Sequence, residues 1–223
     1  MQKFKRYAIY YLPQDIALSE AGAKWLGWDV LTGQPIDRPQ DIDLDVVATP
    51  QKYGFHATLK APFRLRDGSS FTDLSEGFRS LAARLAPVTI TLELARLGRF
   101  FALVNAGNSS DLNQLASTIV KDLDHFRAPL TQADIERRRP ETLSQTQREH
   151  LMQWGYPFVM DDFKFHMTLS GRLTPSEMDR LQSTLSKTFA PFLNCAHRIE
   201  SICLVGENQD GYFELIERAH LGG

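Results

Sequence analysis

Two nearly identical phrases, FHATL at residues 55–59 and FHMTL at residues 165–169, each place a histidine two positions before a threonine. Histidine has an ordinary pKa of about 6.5, so one copy can be neutral while another is protonated near neutral pH. The neutral ring can take a proton from water, and the protonated ring can give one to a leaving oxygen. Threonine hydroxyls can donate hydrogen bonds to phosphate oxygens. The phrases therefore indicate acid–base chemistry on a phosphate ester. The residues concerned are His56, Thr58, His166 and Thr168.

Each phrase predicts a β-strand with one apolar and one polar face, because successive side chains of a strand point in opposite directions. The first apolar face contains Phe55, Ala57 and Leu59, and the opposite face carries the histidine, the threonine and Lys60. If two such strands met across a groove, their imidazoles would approach one phosphorus from opposite sides, as in-line displacement requires. This chemistry needs neither a metal ion nor another cofactor.

The elements that follow the two phrases recur in the same order. Each phrase precedes a segment with a Ser/Thr/Asp start signal, helical apolar spacing and a proline end, first at 67–87 and then at 174–191. Two strand-like runs around a glycine turn come next, the first pair centred on Gly98. The sequence predicts an α+β fold made by a bilobal pseudo-two-fold duplication. Each lobe is expected to be a mostly antiparallel sheet with helices on its outer face, and a cleft is expected between the lobes.

We expect residues 1–223 to form one domain with interleaved lobes, roughly 50–106 and 160–218. Residues 6–12 predict a further strand, and the segment from about Asp111 to Phe126 predicts a helix. A Pro- and Asp-rich stretch at 34–54 predicts a loop long enough to act over a site. The run ERRRPE, between the lobes, is typical of a solvated helix face or connector.

Composition limits the function classes. The chain has 223 residues, 43% hydrophobic and 23% charged, as in an ordinary globular protein. Its 25 basic and 27 acidic residues give a formal net charge of −2. Proteins that bind long nucleic acids usually carry a basic excess, so a small phosphorylated substrate is favoured over RNA. Cys195 and Cys203 match neither a disulfide framework nor zinc-ligand spacing. Pro13 interrupts the first apolar stretch, and we expect a cytoplasmic protein without a membrane span.

The longer segments YGFHATLKAPFRL and FKFHMTLSGRL resemble the paired motifs of the two-histidine phosphoesterase superfamily, which includes RNA 2',3'-cyclic phosphodiesterases and ligase-like proteins. This resemblance implies a bilobal fold with the motif strands facing across a cleft. It also implies that His56 and His166 are catalytic and that Thr58 and Thr168 bind phosphate. The stretches RYAIYYLP, LDHFRAP and WGYPFV are similar to the branch encoded beside phosphonate-utilisation genes.

Charged and hydroxyl-bearing residues near the phrases are further candidates for contact with the substrate. They are Tyr10, Tyr53, Lys60, Arg64, Lys164 and Arg172. The other four histidines lack a matching partner pattern.

The leading hypothesis is a metal-independent phosphoesterase acting on a cyclic phosphate or small phosphodiester of a nucleotide or sugar. The alternatives are an RNA-binding or RNA-end-processing protein, a non-catalytic sensor of phosphate esters, and a metal site, which the lack of ligand spacing disfavours. The sequence does not distinguish the base from the acid, and it does not give the oligomeric state.

Overall fold

The structure is a computed structural model that describes residues 3–39 and 44–223. Eight strands form one sheet in which every neighbouring pair is antiparallel, in the order β10-β9-β1-β4-β7-β6-β5-β8. β2 and β3 form a separate two-stranded ribbon. The strands are β1 Tyr7–Tyr11, β2 Trp28–Asp29, β3 Gln34–Pro35, β4 Ala57–Phe63, β5 Val88–Leu97, β6 Phe100–Asn105, β7 His166–Thr168, β8 Ala196–Ile199, β9 Ser201–Glu207 and β10 Phe213–His220.

Seven α-helices occur in the described part of the chain, and several of them cover one face of the sheet. α3 packs against β9 and β10, α4 packs against β4 and β5, and α7 packs against β5. The α+β class and the antiparallel sheet are confirmed. The helices are α1 Ile16–Leu26, α2 Leu44–Gln51, α3 Phe71–Ala82, α4 Ser110–Asp122, α5 Gln132–Arg137, α6 Gln145–Trp154 and α7 Pro175–Phe189. None of the described helices is long and apolar enough to cross a membrane.

The helices after the two phrases begin with the caps that the sequence predicts. Ser70 and Asp73 exchange side-chain and backbone hydrogen bonds at the start of α3. Thr174 and Glu177 form the same capping box at the start of α7, with Pro175 in the first helical position. Each box satisfies backbone groups that a helix terminus otherwise leaves unpaired.

The two motif strands lie side by side at the centre of the sheet. Their apolar side chains, Phe55, Ala57 and Leu59 in one and Phe165, Met167 and Leu169 in the other, are buried in the main core beneath the helices. A smaller core on the opposite face of the sheet contains Tyr10, Trp28 and Phe213. The alternation of apolar and polar residues therefore leaves the histidines and threonines on the face away from the main core.

The hairpins cross between the two halves of the sheet. The β5–β6 hairpin, which follows the first phrase, pairs through β6 with β7 of the second phrase. The β9–β10 hairpin, which follows the second phrase, pairs through β9 with β1, the neighbour of β4. Motif strand and following hairpin thus lie in opposite halves of one continuous sheet. The bilobal duplication and its ranges, 50–106 and 160–218, stay a prediction.

Three local predictions need correction. Within the predicted 34–54 loop, residues 44–51 form α2, since Val46 and Val47 are buried in the main core; residues 40–43 lie outside the described part. The helix expected at 111–126 ends at Asp122 and is followed by a 3-10 turn at 124–126. The first run of the last predicted hairpin divides at Glu200 into β8, which pairs with β5, and β9.

Candidate phosphoesterase site

The four predicted site residues line one cavity of about 240 Å³, here called the histidine cavity. β4 and β7 are antiparallel neighbours, with Ala57 opposite Met167. Continuing this register places His56 opposite Thr168 and Thr58 opposite His166. Each imidazole therefore lies across from the hydroxyl supplied by the other phrase.

Both imidazoles are held by the same local hydrogen bond. The Nδ1 atom of His56 lies 2.9 Å from the carbonyl oxygen of Gly54, and Nδ1 of His166 lies 2.7 Å from that of Lys164. A carbonyl oxygen can only accept, so Nδ1 carries the proton in each ring. In its neutral form each histidine therefore keeps a lone pair on Nε2, the atom that can exchange a proton with a substrate.

The two histidines differ in their surroundings. His56 is 9% exposed, whereas His166 is half-buried. Burial lowers the pKa of His56 from 6.5 to about 4; the bond to Gly54 opposes this shift, and the charge of His166 adds to it. His56 is therefore neutral at neutral pH. Its Nε2 lies 2.9 Å from Oγ1 of Thr58 and accepts a hydrogen bond from that hydroxyl.

Two predicted tyrosines also line the histidine cavity. The ring of the buried Tyr10 is stacked on His56, with 3.7 Å between ring centroids. Its hydroxyl has no hydrogen-bond partner among the described residues. Tyr53 stacks on Phe213 at 5.5 Å between centroids and keeps 37% of its surface exposed. Tyr10 thus belongs to the wall that buries His56, and Tyr53 lies at the rim.

Lys60 lies on the opposite face of the sheet from the one expected. Tyr10 pairs with Thr58 but Ile9 pairs with Lys60, so β4 has one extra residue at this bulge. The extra residue reverses the alternation and turns Lys60 toward the main core. There its Nζ donates to the carbonyl oxygen of Val120 at 3.1 Å and to Asp124 at 2.9 Å.

The remaining predicted residues, Arg64, Lys164 and Arg172, do not line the histidine cavity. Arg64 is 2.7 Å from Asp134 in an ion pair. The exposed Lys164 lines a neighbouring cavity, and Arg172 is exposed. The structure therefore groups six of the ten candidates around one space.

Sequence reasoning missed several residues of this wall. Arg6, Arg138 and Tyr156 line the histidine cavity, as do Thr49 and Pro50 of α2. Arg138 belongs to the ERRRPE run, and its guanidinium carbon lies 4.7 Å from the centroid of the Tyr156 ring. The sequence does not distinguish Arg138 from the other arginines of this run, because all of them carry the same charge. Tyr156 lies within the WGYPFV stretch, but it was not predicted as a site residue.

Two further cavities adjoin the histidine cavity. The aromatic cavity, about 570 Å³, shares Thr58, Ala61, Tyr156 and His166 with it and is otherwise walled largely by apolar side chains. Its apolar lining includes the aromatic rings of Phe100, Phe158 and Phe163. The arginine cavity, about 40 Å³, is lined by five arginines, Asp134 and several apolar residues. In the described residues, no three His, Cys, Asp or Glu side chains are grouped to hold a metal ion.

A family model described as "Protein of unknown function (DUF1045)" matches residues 58–214, which contain Thr58 and the whole second phrase. The chain belongs to this family. The match runs from Thr58 in β4 through β9, and His56 lies just before it.

Two curated relatives bear the name "Ribose 1,5-bisphosphate phosphokinase PhnN". The protein from Janthinobacterium sp. (strain Marseille) is 34% identical over 186 residues, which cover 80% of this chain and 41% of that protein. The protein from Laribacter hongkongensis (strain HLHK9) is 33% identical over 211 residues, covering 92% of this chain and 49% of that protein. The DUF1045 chain spans less than half the length of either relative.

Solved structures similar to this chain include TT0787 of Thermus thermophilus, with a TM-score of 0.49 and 18% identity over 98% of both chains. Another is LigT of E. coli complexed with NADP+, with a TM-score of 0.47 and 15% identity over the whole of both chains.

Proposed function

We propose that this DUF1045 protein is a metal-independent phosphoesterase that hydrolyses a cyclic phosphate or small phosphodiester of a nucleotide or sugar. The observation that carries the proposal is the matched pair of imidazoles on neighbouring central strands. Both have Nδ1 bound to a backbone carbonyl and line the same 240 Å³ cavity. A pair held in this way leaves two Nε2 atoms for proton transfer at one phosphorus centre.

The unequal burial of the histidines supports different roles for them. His56, whose pKa is lowered to about 4, is a neutral acceptor at neutral pH and is proposed as the general base. Half-buried His166 keeps contact with solvent, which can deliver a proton to it, and is proposed as the general acid. The proposal thus gives different roles to two histidines whose sequence phrases are nearly equivalent.

In the proposed reaction, Nε2 of His56 takes a proton from water as the water oxygen bonds to phosphorus. The bond from phosphorus to the leaving ester oxygen breaks, and Nε2 of His166 gives that oxygen a proton. A cyclic phosphate and one water thus give a phosphate monoester with a free hydroxyl. Proton exchange with solvent then restores both rings. Thr168 would donate a hydrogen bond to a non-bridging oxygen as its charge develops, and Thr58 would do the same once its hydroxyl turns from Nε2 of His56, which frees that atom to accept the water proton.

The neighbouring walls support a nucleotide or sugar as the organic part of the substrate. The aromatic cavity opens from Thr58 and His166 and offers Tyr156 and Phe100 as apolar surfaces for a base or a ribose. The relatives named for ribose 1,5-bisphosphate contain a region similar to this chain, which favours a phosphorylated ribose. The sequence resemblance to the branch encoded beside phosphonate-utilisation genes supports a role for this activity in phosphonate metabolism.

The test is a panel of nucleoside 2',3'-cyclic phosphates and ribose cyclic phosphates, assayed in EDTA with the purified protein. We expect turnover by the wild type and a loss of about 10²- to 10⁴-fold in each of His56→Ala and His166→Ala. His220→Ala is the matched control, because His220 is an exposed histidine outside the histidine cavity. Absence of turnover across the panel, or undiminished turnover in both histidine variants, would contradict the proposal.

A second candidate is RNA-end processing in the same cavity. The exposed rings of Tyr53 and Phe158, which line the two cavities that share His166, are the observation that favours it, because unpaired bases stack on such rings. Oligonucleotide affinity that falls steeply with added salt would support this candidate. Tight binding of cyclic phosphates without turnover would support a sensor instead.

A further inference from the structure

The arginine cavity lies directly beside the histidine cavity. Arg6, Ala61, Pro62 and Arg138 belong to the walls of both. At about 40 Å³ the arginine cavity has room for only a few water-sized oxygen atoms. It can therefore accept a small anionic head group but not a base or a ribose. Its charged lining residues are Arg6, Arg64, Arg127, Arg137, Arg138 and Asp134.

Most of these guanidinium groups are neutralised by carboxylates. Arg6 forms two hydrogen bonds with Glu207, at 2.5 and 2.8 Å. Arg127 likewise contacts both oxygens of Asp124, at 2.8 and 2.9 Å. These ion pairs fix the positions of two arginines in the wall.

The other three arginines of the lining have only one carboxylate between them among the described residues. Arg64 and Arg137 share the single carboxylate of Asp134, at 2.7 and 2.8 Å. Half-buried Arg138 makes no ion pair with any described residue, and its contact is the ring face of Tyr156. A cation held against an aromatic ring and left without a counter-ion is an attractive site for an anion.

We propose that the arginine cavity, with Arg138 as its principal ligand, binds a second phosphate of the substrate, remote from the phosphorus held between the histidines. The inference rests on the proposed function and adds to it a substrate class: a cyclic phosphate that also carries a terminal phosphate monoester. The planar guanidinium of Arg138 can bind two phosphate oxygens at once, while the Arg64 and Arg137 pair supplies further positive charge. Arg138 is thus a specificity-determining residue.

The test compares adenosine 2',3'-cyclic phosphate with the same compound phosphorylated at the 5' position. We expect the wild type to have a kcat/KM about 10- to 100-fold higher for the phosphorylated compound, the range that one or two charge-assisted hydrogen bonds provide. Arg138→Gln should lower kcat/KM for that compound to near the value for the other, and Arg138→Lys should retain part of the preference. Arg139→Gln removes the same charge from the adjacent, exposed residue and should keep the full preference.

A wild type that does not prefer the phosphorylated compound, or a preference that survives in Arg138→Gln, overturns the inference and leaves the proposed function intact. A binding experiment separates the two claims if no cyclic phosphate is turned over. Ribose 5-phosphate is titrated calorimetrically into protein carrying both His56→Ala and His166→Ala. Binding that Arg138→Gln weakens about 10-fold or more, and Arg139→Gln does not, supports the subsite without turnover. Equal binding by the two arginine variants overturns it.

Discussion

The phenol ring of Tyr10 is stacked on the imidazole of His56, with centroids 3.7 Å apart and 21° between the ring planes. Tyr10 belongs to β1, the neighbour of β4, and pairs with Thr58, the hydroxyl partner of the same imidazole. One cross-strand pair therefore supplies both the ring that stacks on His56 and the hydroxyl that binds its Nε2. The contact explains why a histidine on the polar face of the sheet is almost wholly shielded from water.

Replacing the Tyr10 ring should change the proton affinity of His56. We expect Tyr10→Leu to raise the pKa of His56 from about 4 toward 6.5, because part of the burial that lowers it is lost. The pH below which kcat/KM falls, the acidic limb of its pH profile, should rise by the same amount. Tyr10→Phe keeps the ring and should leave the limb near pH 4. An unmoved limb in Tyr10→Leu would show that the stack does not set the pKa.

Tyr10→Phe also tests the unpaired hydroxyl. The oxygen is buried without a partner among the described residues, so its removal should leave the free energy of unfolding unchanged or raise it by up to about 1 kcal/mol. Urea unfolding measures this. If the variant is stable but its KM rises, the hydroxyl contacts the substrate.

Stability should depend on pH through His56. Its pKa is about 4 in the folded protein and 6.5 in the unfolded chain, so between these values the unfolded state binds more protons. Lowering the pH from 7 to 4 should therefore reduce the free energy of unfolding by about 3 kcal/mol through this residue alone, and the contribution should level off about one pH unit below 4. Urea titrations at several pH values, compared between wild type and His56→Gln, isolate the contribution. Parallel pH dependences in the two proteins would contradict it.

The two threonines should be distinguishable by substitution with valine, which keeps their shape. Both Thr58→Val and Thr168→Val are expected to lower kcat by about 10²- to 10³-fold, the usual effect of losing one donor to the developing charge. Thr58→Val should in addition raise the pKa of His56, because the lost hydroxyl donates to Nε2 and stabilises the neutral ring. A pH titration of the His56 ring signals by NMR checks the second effect. Equal titration curves in the two variants would refute the asymmetry.

Local sequence patterns determined the parts of the site that alternate regularly. Successive side chains of a strand point to opposite faces of the sheet, so Phe55, Ala57 and Leu59 are buried in the main core. The same alternation places His56 and Thr58 in the wall of the histidine cavity. The helix caps could also be predicted from the sequence, because the two residues of a capping box are only three positions apart.

Other features depend on contacts between distant residues, and the sequence does not reveal them. The bulge that reverses Lys60 is visible only in the pairing of β4 with β1. The apolar pair Val46 and Val47 forms a short helix where proline and aspartate indicated a loop. Arg138, unlike the adjacent and exposed Arg139, packs against Tyr156, a residue 18 positions away. Tertiary packing decided each case.

Lys60 provides the sharpest contrast between a structural and a catalytic role. Its side chain is 3% exposed, and its ammonium group is held by Asp124 and the carbonyl oxygen of Val120, beneath the sheet. Lys60→Met keeps the aliphatic part of the side chain and removes its charge. The carbonyl oxygen of Val120 then has no side-chain donor, and Asp124 keeps only its ion pair with Arg127. We therefore expect the free energy of unfolding to fall by about 2 kcal/mol. The kcat/KM of the folded variant should stay within about twofold of the wild type, since removal of a charge outside the cavity leaves the transition-state contacts intact. Urea unfolding and assays well below the melting temperature measure the two effects. A stable variant with strongly reduced kcat/KM would instead assign Lys60 to substrate binding.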